Sequence, residues 1–464
     1  MKHSLISHLE SSAAKYNEHG KVEAFIDVEG TEVLRCLFQG YLDKRAAEEL
    51  RQQIYSDDGT HLTHLKSSQR NLESLFGQVV SPRKGYSQRG YSSQFPMDKE
   101  LNLPRDKYSD GVRLRVVKEA VRGSYDEAIA SIDSTTGAHV PKRQSMKIVQ
   151  DVAQDFEKYY LQQRYLEPED TPDLLVLTTD AKGIVMQTDS LRECTQKSAK
   201  KQKLKGRLSA GEKKDRKRMA QVASVYTTKA VPRTPESIMS KKEDSNVRPL
   251  RVPPRDKRVW ASVERGAESV IEESFLEALQ RDPEQNRDWV VLVDGLPNQL
   301  KQINRIMKRH KVNATIIMDF IHVLEYLWKA AWCFFDKNDV KVEDWIDKRA
   351  IEILRGNASQ VAKGLGGSAT KRNLKQRENI DKCIHYLVNN KSRLEYGKAL
   401  SLGYPIASGV IEGACRHLIN DRLDITGARW SLDGAEAILK LRSLKSSNDL
   451  EDYWKYHKEQ SKQR

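Results

Sequence analysis

Three acidic residues stand out for what surrounds them. Asp180 closes the apolar run LLVLTTD (174–180), Asp294 follows WVVLV (289–293), and Glu412 sits among small and apolar residues in ASGVIEGACRHLINDRLDITGARWS (407–431). A carboxylate at a buried strand end or on an apolar helix face is costly unless something neutralises it. Three that converge repel one another unless a cation lies between them. Oxygen donors of this kind suit Mg²⁺ or Mn²⁺, which bind a few carboxylates and keep the rest of their shell for water and phosphate. Two such ions about 4 Å apart activate an attacking oxygen and stabilise the leaving oxygen of a phosphodiester. The chemistry expected of the trio is nucleic-acid strand cleavage and strand transfer, with no covalent enzyme intermediate required.

Each carboxylate also has a plainer role open to it. Asp180 precedes Ala-Lys-Gly and could form a turn. Asp294-Gly295 could simply begin the helix that follows. Glu412 could pair with Arg416 one helical turn on, a bridge worth a few tenths of a kcal/mol. Asp319, at the end of ATIIM (314–318), competes with Asp294 for the second position. It opens a helix that its own carboxylate can cap, and His322 follows within a turn. Asp294 is preferred because its strand is expected beside the first, and because Gly295 lets the backbone turn without crowding a metal. His322 has no Cys/His partners at zinc spacing and reads as a structural histidine.

The order of elements is what would bring the three together. Strands are expected at 174–180, 183–188 and 219–229, a helix at 259–280, a strand at 289–293, a helix at 297–310, a strand at 314–318 and a helix at 320–335. The first three strands can form an antiparallel meander, and the last two, joined by a helix, should run parallel. Ligand sites of open α/β sheets gather at the carboxyl ends of the strands. This is the order of an RNase H-like core: α/β, with a mixed five-stranded sheet in which the first strand lies beside the fourth. A later helix would then deliver Glu412. Residues 336–404 read as a helical insertion, with GLGG (364–367) as a linker lacking the Lys-Ser/Thr of a P-loop. The expected domains are a mainly helical DNA-binding region (1–166), the core in two parts (171–335 and 405–464), and the insertion between them.

A chain of 464 residues is long for one domain. Its net charge of +14 points to a polyanionic partner, most often nucleic acid. The stretch 197–218 holds eleven Lys/Arg against two acids, among them Lys200, Lys201, Arg216 and Arg218, and is expected to wrap a polyanion or stay disordered. A hairpin is expected within 70–95, where Arg83 and Lys84 could grip phosphates. Residues 124–160 read as helix, turn, helix, with Pro141 in the first turn of the second helix. Lys142, Arg143, Gln144 and Lys147 would lie where a helix-turn-helix makes base contacts. Arg422, Arg429 and Trp430 follow Glu412 and could touch DNA, Trp430 by stacking on an unpaired base or else by serving as core. The five cysteines include no C-x-x-C pair, which fits a reducing cytoplasm. No apolar run approaches the ~18 residues of a membrane span, and the first twenty residues lack the apolar core of a signal peptide.

Several stretches resemble the transposases of the ISKra-type insertion-sequence family, of the DDE class and related to mutator-like transposases. These are VDGLPNQ (293–299), DFIHVLEYLWKAA (319–331) and SGVIEGACRHLINDRLDITGARWSLDGAEAILKLR (408–442), with FGQVVSPRKGY (76–86) and LNLPRDKYS (101–109) nearer the start. The resemblance implies an RNase H-like catalytic core, a divalent metal (Mg²⁺ or Mn²⁺), and action on double-stranded DNA at the terminal inverted repeats of a mobile element and at its target. It also implies a homodimer or larger assembly on DNA and a nucleoid-associated place in the cytoplasm. Asp180 matches the first aspartate, Asp294 the second and Glu412 the glutamate. Asp319-Phe-Ile-His322 is similar to the [C/D]-x-x-H signature of mutator-like and hAT-like transposases, and helical insertions before the glutamate occur in several related ones. TTDAKGI differs from the family pattern in having no glycine nearer the aspartate. Two other readings remain open: a catalytically inactive DNA-binding derivative, and a nuclease that cuts without joining.

Overall fold

The chain packs as two units, Met1–Tyr159 with Leu450–Arg464, and Tyr160–Asp449. The computed structural model describes residues 2–162, 168–201, 216–239, 252–336, 338–425 and 427–464. In the first unit a long helix, α1 (His19–Ala47), packs on a hairpin of β1 (His64–Ser74) and β2 (Gly77–Ser87). Leu42, Leu72 and Val79 form the centre of that packing, with Phe38, Leu101 and Leu103 around them. Three short helices follow and pack on one another: α2 (Asp110–Ala120), α3 (Tyr125–Thr135) and α4 (Lys142–Ala153). A capping box of Ser124 and Glu127 starts α3. Pro141 stands one residue before α4, as its N-cap, and not in its first turn. The terminal helix, Leu450–Gln463, belongs to this unit by its packing: Tyr453 donates to the Val152 carbonyl and His457 pairs with Asp155 at 2.7 Å.

The second unit is built on a mixed five-stranded sheet. Its strands are β3 (Leu174–Val185), β4 (Lys217–Thr228), β5 (Arg255–Ser262), β6 (Trp289–Val293) and β7 (Thr315–Met318), in the order β5-β4-β3-β6-β7. β3, β4 and β5 are antiparallel neighbours, while β3, β6 and β7 run parallel. Two elements depart from expectation. Ala181-Lys182-Gly183 does not turn the chain; β3 runs straight through it, paired with β4 residue by residue. The ladder overrides turn propensity there, and Gly183 leaves room for Lys217, whose side chain would lie 2.8 Å from an added Cβ. Residues 255–262 form a strand, so the helix expected from 259 begins only at Ala267, as α5 (Ala267–Arg281). Val259, Trp260 and Ala261 are buried, and the buried Arg258 in the same strand is neutralised by Glu273 and Glu277 of α5, each at 2.6 Å.

Further helices are α6 (Pro297–His310), α7 (Phe320–Ala331), α8 (Lys341–Leu354), α9 (Ala358–Lys371), α10 (Glu378–Asn389), α11 (Gly409–Cys415) and α12 (Leu432–Ser446). GLGG lies inside α9 and is no linker: Leu365 is buried, and a Cβ on Gly366 would touch Ile384 of α10 at an ordinary 3.5 Å. α12 lies along β5, with Ser443, Ser447 and Glu436 accepting hydrogen bonds from the Ala261, Val259 and Val263 amides. Among the described residues no helix is long and apolar enough to cross a membrane.

Candidate active site

Strand register puts three aspartates on one level. Leu175 pairs with Trp289 and Thr178 with Leu292; carried two residues further, that register sets Asp180 level with Asp294. Val290 pairs with Thr315 and Val293 with Met318, and the next step sets Asp294 level with Asp319. Adjacent strands lie about 4.8 Å apart, so the three residues form a row across β3, β6 and β7. For β6 and β7 this level is the carboxyl end, where parallel sheets place their ligands.

The three side chains then part company. Asp180 is half-buried; its Oδ1 accepts from the Ala181 amide at 2.6 Å, and its Oδ2 from the Cys415 thiol at 3.1 Å. Asp294 keeps 22% of its side-chain surface and meets His322 Nε2 at 2.9 Å. Asp319 is wholly buried: Oδ1 caps α7 through the Ile321 amide at 2.7 Å, and Oδ2 accepts from the Ser408 amide at 2.8 Å and from its hydroxyl. Ser408 immediately precedes α11. Asp319 thus pins the start of the helix that carries Glu412 and Cys415.

Glu412 is exposed and, among the described residues, has no hydrogen-bond or ion-pair partner. The pairing with Arg416 does not form; that guanidinium lies 3.7 Å from Asp421. Partial burial, then the nearby Asp319, raise the Glu412 pKa; Asp294 and Glu325 push the same way, and His322 opposes them. The hydrogen bond that His322 donates to Asp294 raises its pKa to about 9, against desolvation, so the imidazole is cationic at neutral pH. Burial, then Asp180, raise the Cys415 thiol well above its ordinary value, with Asp294 adding to the effect. Asp294 therefore acts electrostatically on both α11 groups, Cys415 beside Asp180 and Glu412 one turn earlier.

By type, these donors suit a hard divalent cation. As the side chains stand, no group of three His, Cys, Asp or Glu among the described residues is close enough to hold one. Asp180 is engaged by a thiol and Asp294 by an imidazolium; Glu412 lacks a counter-charge.

Other groups at the site carry no sequence signal of their own. Gln299 donates to the Thr179 carbonyl and hydroxyl at 2.9 Å each, and its own carbonyl oxygen is buried without a partner. The Tyr386 hydroxyl donates to the Asp294 carbonyl at 3.1 Å. Gly295 has φ +90°, and a Cβ there would meet Met318 Sδ at 2.8 Å. Glycine is thus required by both conformation and space.

The cations assigned to DNA divide sharply. Arg143, Lys147, Lys200 and Arg429 are exposed. Lys142 is half-exposed and paired with Asp126 at 2.7 Å. Arg83 is nearly buried, bonded to Asp98 and lying over the Phe95 ring at 3.8 Å, and Lys84 donates to the Glu49 carbonyl. Arg216 and Arg218 donate to carbonyls of their own unit, Ala199 for the first, Val263 and Ser190 for the second. Arg422 is buried over Trp430 at 4.8 Å, and the Trp430 indole donates to the Leu423 carbonyl at 3.1 Å. Trp430 thus belongs to the core, with its backbone bonded to Val185 and Gln187. Of the basic stretch 197–218, residues 202–215 and the side chain of Lys201 lie outside the described residues. No protein-family model and no curated protein matches the sequence.

Proposed function

We propose that the chain is a DDE transposase of an insertion sequence, with an RNase H-like core that cleaves DNA at the element's ends and joins it to a target. The observation that supports this most is the unpartnered Glu412, on a helix pinned by Asp319 and within electrostatic reach of Asp294, which shares its level in the sheet with Asp180. Asp180, Asp294 and Glu412 would hold Mg²⁺ or Mn²⁺. The bound ion would supply activation of the attacking oxygen and charge stabilisation on the leaving oxygen. To hold the ion, Asp180 would exchange its bond to the Cys415 thiol and Asp294 its pairing with His322. Without the ion, His322 holds the Asp294 carboxylate in place at 2.9 Å. Asp319 stays out of the chemistry and fixes where α11 sits.

The exposed cations and the 197–218 stretch, apart from Arg216 and Arg218, are the proposed phosphate-binding groups. Neutralising that stretch should weaken binding to all DNA and flatten the salt dependence by about 0.9 in slope for each phosphate no longer neutralised.

The test is an assay of the purified chain with Mg²⁺ and DNA carrying the sequences that flank its own gene. Cut ends and joined products are expected. Binding without cleavage would instead indicate an inactive derivative, and cleavage without joining a nuclease.

A further inference from the structure

With Trp430 in the core, the site needs another aromatic surface if it is to hold an unpaired base. α7 and α10 offer one beside Asp294. The rings of Tyr326 and Tyr386 stack at 4.2 Å and 19°. Tyr386 is tied to the turn after β6 through its bond to the Asp294 carbonyl. A cavity of about 440 Å³ opens against this pair, and among the described residues Asp294 is the one acid on its wall. His385 and Arg393 line it too, and among the described residues neither side chain has a protein partner. Arg355 and Arg377 of the same helical region are, by contrast, each bonded to a carboxylate. Asn389 adds an exposed amide at the same mouth.

A cavity of this size admits one small planar ligand and is too narrow for a duplex. The Arg393 guanidinium and the His385 imidazole on one side suit a phosphate, and the Tyr326 ring on the other, which Lys329 Nζ approaches at 5.5 Å, suits a base. Resting on the DNA reading above, we infer that this cavity receives one unpaired nucleotide next to the bond being cut, its base on Tyr326 and its phosphate toward His385 and Arg393. The helical region 336–404 would then contribute directly to the substrate site.

The experiment measures fluorescence anisotropy with a labelled oligothymidine of about ten residues and a labelled duplex of about 20 base pairs. It compares wild type with Tyr326→Leu and with the surface double variant His385→Gln/Arg393→Gln, which leaves the packed core untouched. Each variant should lose about tenfold in affinity for the single strand and stay within about twofold for the duplex. Unchanged single-strand affinity in the double variant, with the duplex still bound, overturns the nucleotide pocket and leaves the DNA reading standing. If wild type binds neither DNA, both fall.

Discussion

The turns after β6 and β7 begin alike and end differently. Each follows a short parallel strand, starts with aspartate and leads into a helix. After β7 comes Phe320, whose amide donates to the Ile406 carbonyl at 2.8 Å and whose ring is buried edge-on to Tyr396. That packing draws Asp319 inside, where backbone and hydroxyl donors satisfy both of its oxygens. After β6 comes Gly295, with φ +90°, and Asp294 is left half-buried with one ionic partner. The residue after the aspartate thus decides whether the carboxylate is structural or available. A buried, fully bonded carboxylate fixes geometry; a half-buried one with a single ionic partner, beside other acids, can take a cation.

The sharpest break in this comparison concerns activity. Asp294→Asn and Glu412→Gln should each lower the single-turnover cleavage rate by roughly a thousandfold or more, because several kcal/mol of transition-state stabilisation depends on a held metal. Asp319→Asn should keep measurable cleavage, since an amide oxygen can still cap α7.

Stability should show the reverse order. Asp319→Ala strands the Ile321 and Ser408 amides and should cost about 3 kcal/mol in urea unfolding. Asp294→Asn should cost less than about 1 kcal/mol, the ordinary value for a partly exposed pair. Equal losses for the two would erase the distinction.

His322 sharpens the contrast through pH. Its pKa is raised from 6.5 to about 9 in the fold. The sign follows from linkage: the stabilisation is fully present below the unfolded value and lost as pH rises through the folded one. Wild type should therefore lose about 1 kcal/mol more than His322→Gln between about pH 6 and pH 10, the figure being reduced for partial exposure. Parallel curves for the two proteins would mean that the imidazolium does not pair with Asp294 in solution.

The smallest effect is at Glu412, whose raised pKa makes its charge unfavourable in the fold. Stability attached to its proton is present at low pH and lost as pH rises through the folded pKa. Glu412→Gln should then be more stable than wild type at neutral pH by a few tenths of a kcal/mol, given solvent screening, with the gain vanishing in acid. A variant that is both inactive and slightly stabilised marks a functional carboxylate; a destabilised one would mark a structural carboxylate.

Much of this was legible from local pattern. WVVLV and ATIIM are continuous apolar runs closed by aspartate, and the buried parallel strands form there. β5 was hidden because RDKRVWAS mixes charge with apolar residues; Arg258 is buried only by virtue of Glu273 and Glu277, which lie on another element. The Cys415–Asp180 bond joins residues 235 apart, and no spacing rule reaches that far. Arg83, Arg216 and Arg422 looked like phosphate-binding groups because composition counts charge, whereas each is held by its own unit. The Asp319–Ser408 bond, which holds α11, is likewise invisible until the sheet order is known.

In the proposed site Asp180, Asp294 and Glu412 would share a divalent cation, with Asp319 fixing only the helix that carries Glu412. Mn²⁺ titration followed by electron paramagnetic resonance tests it without needing a DNA substrate. Wild type and folded Asp319→Asn should bind the ion, and Asp294→Asn should lose it. Loss in Asp319→Asn with retention in Asp294→Asn, or no binding by wild type, would contradict the account.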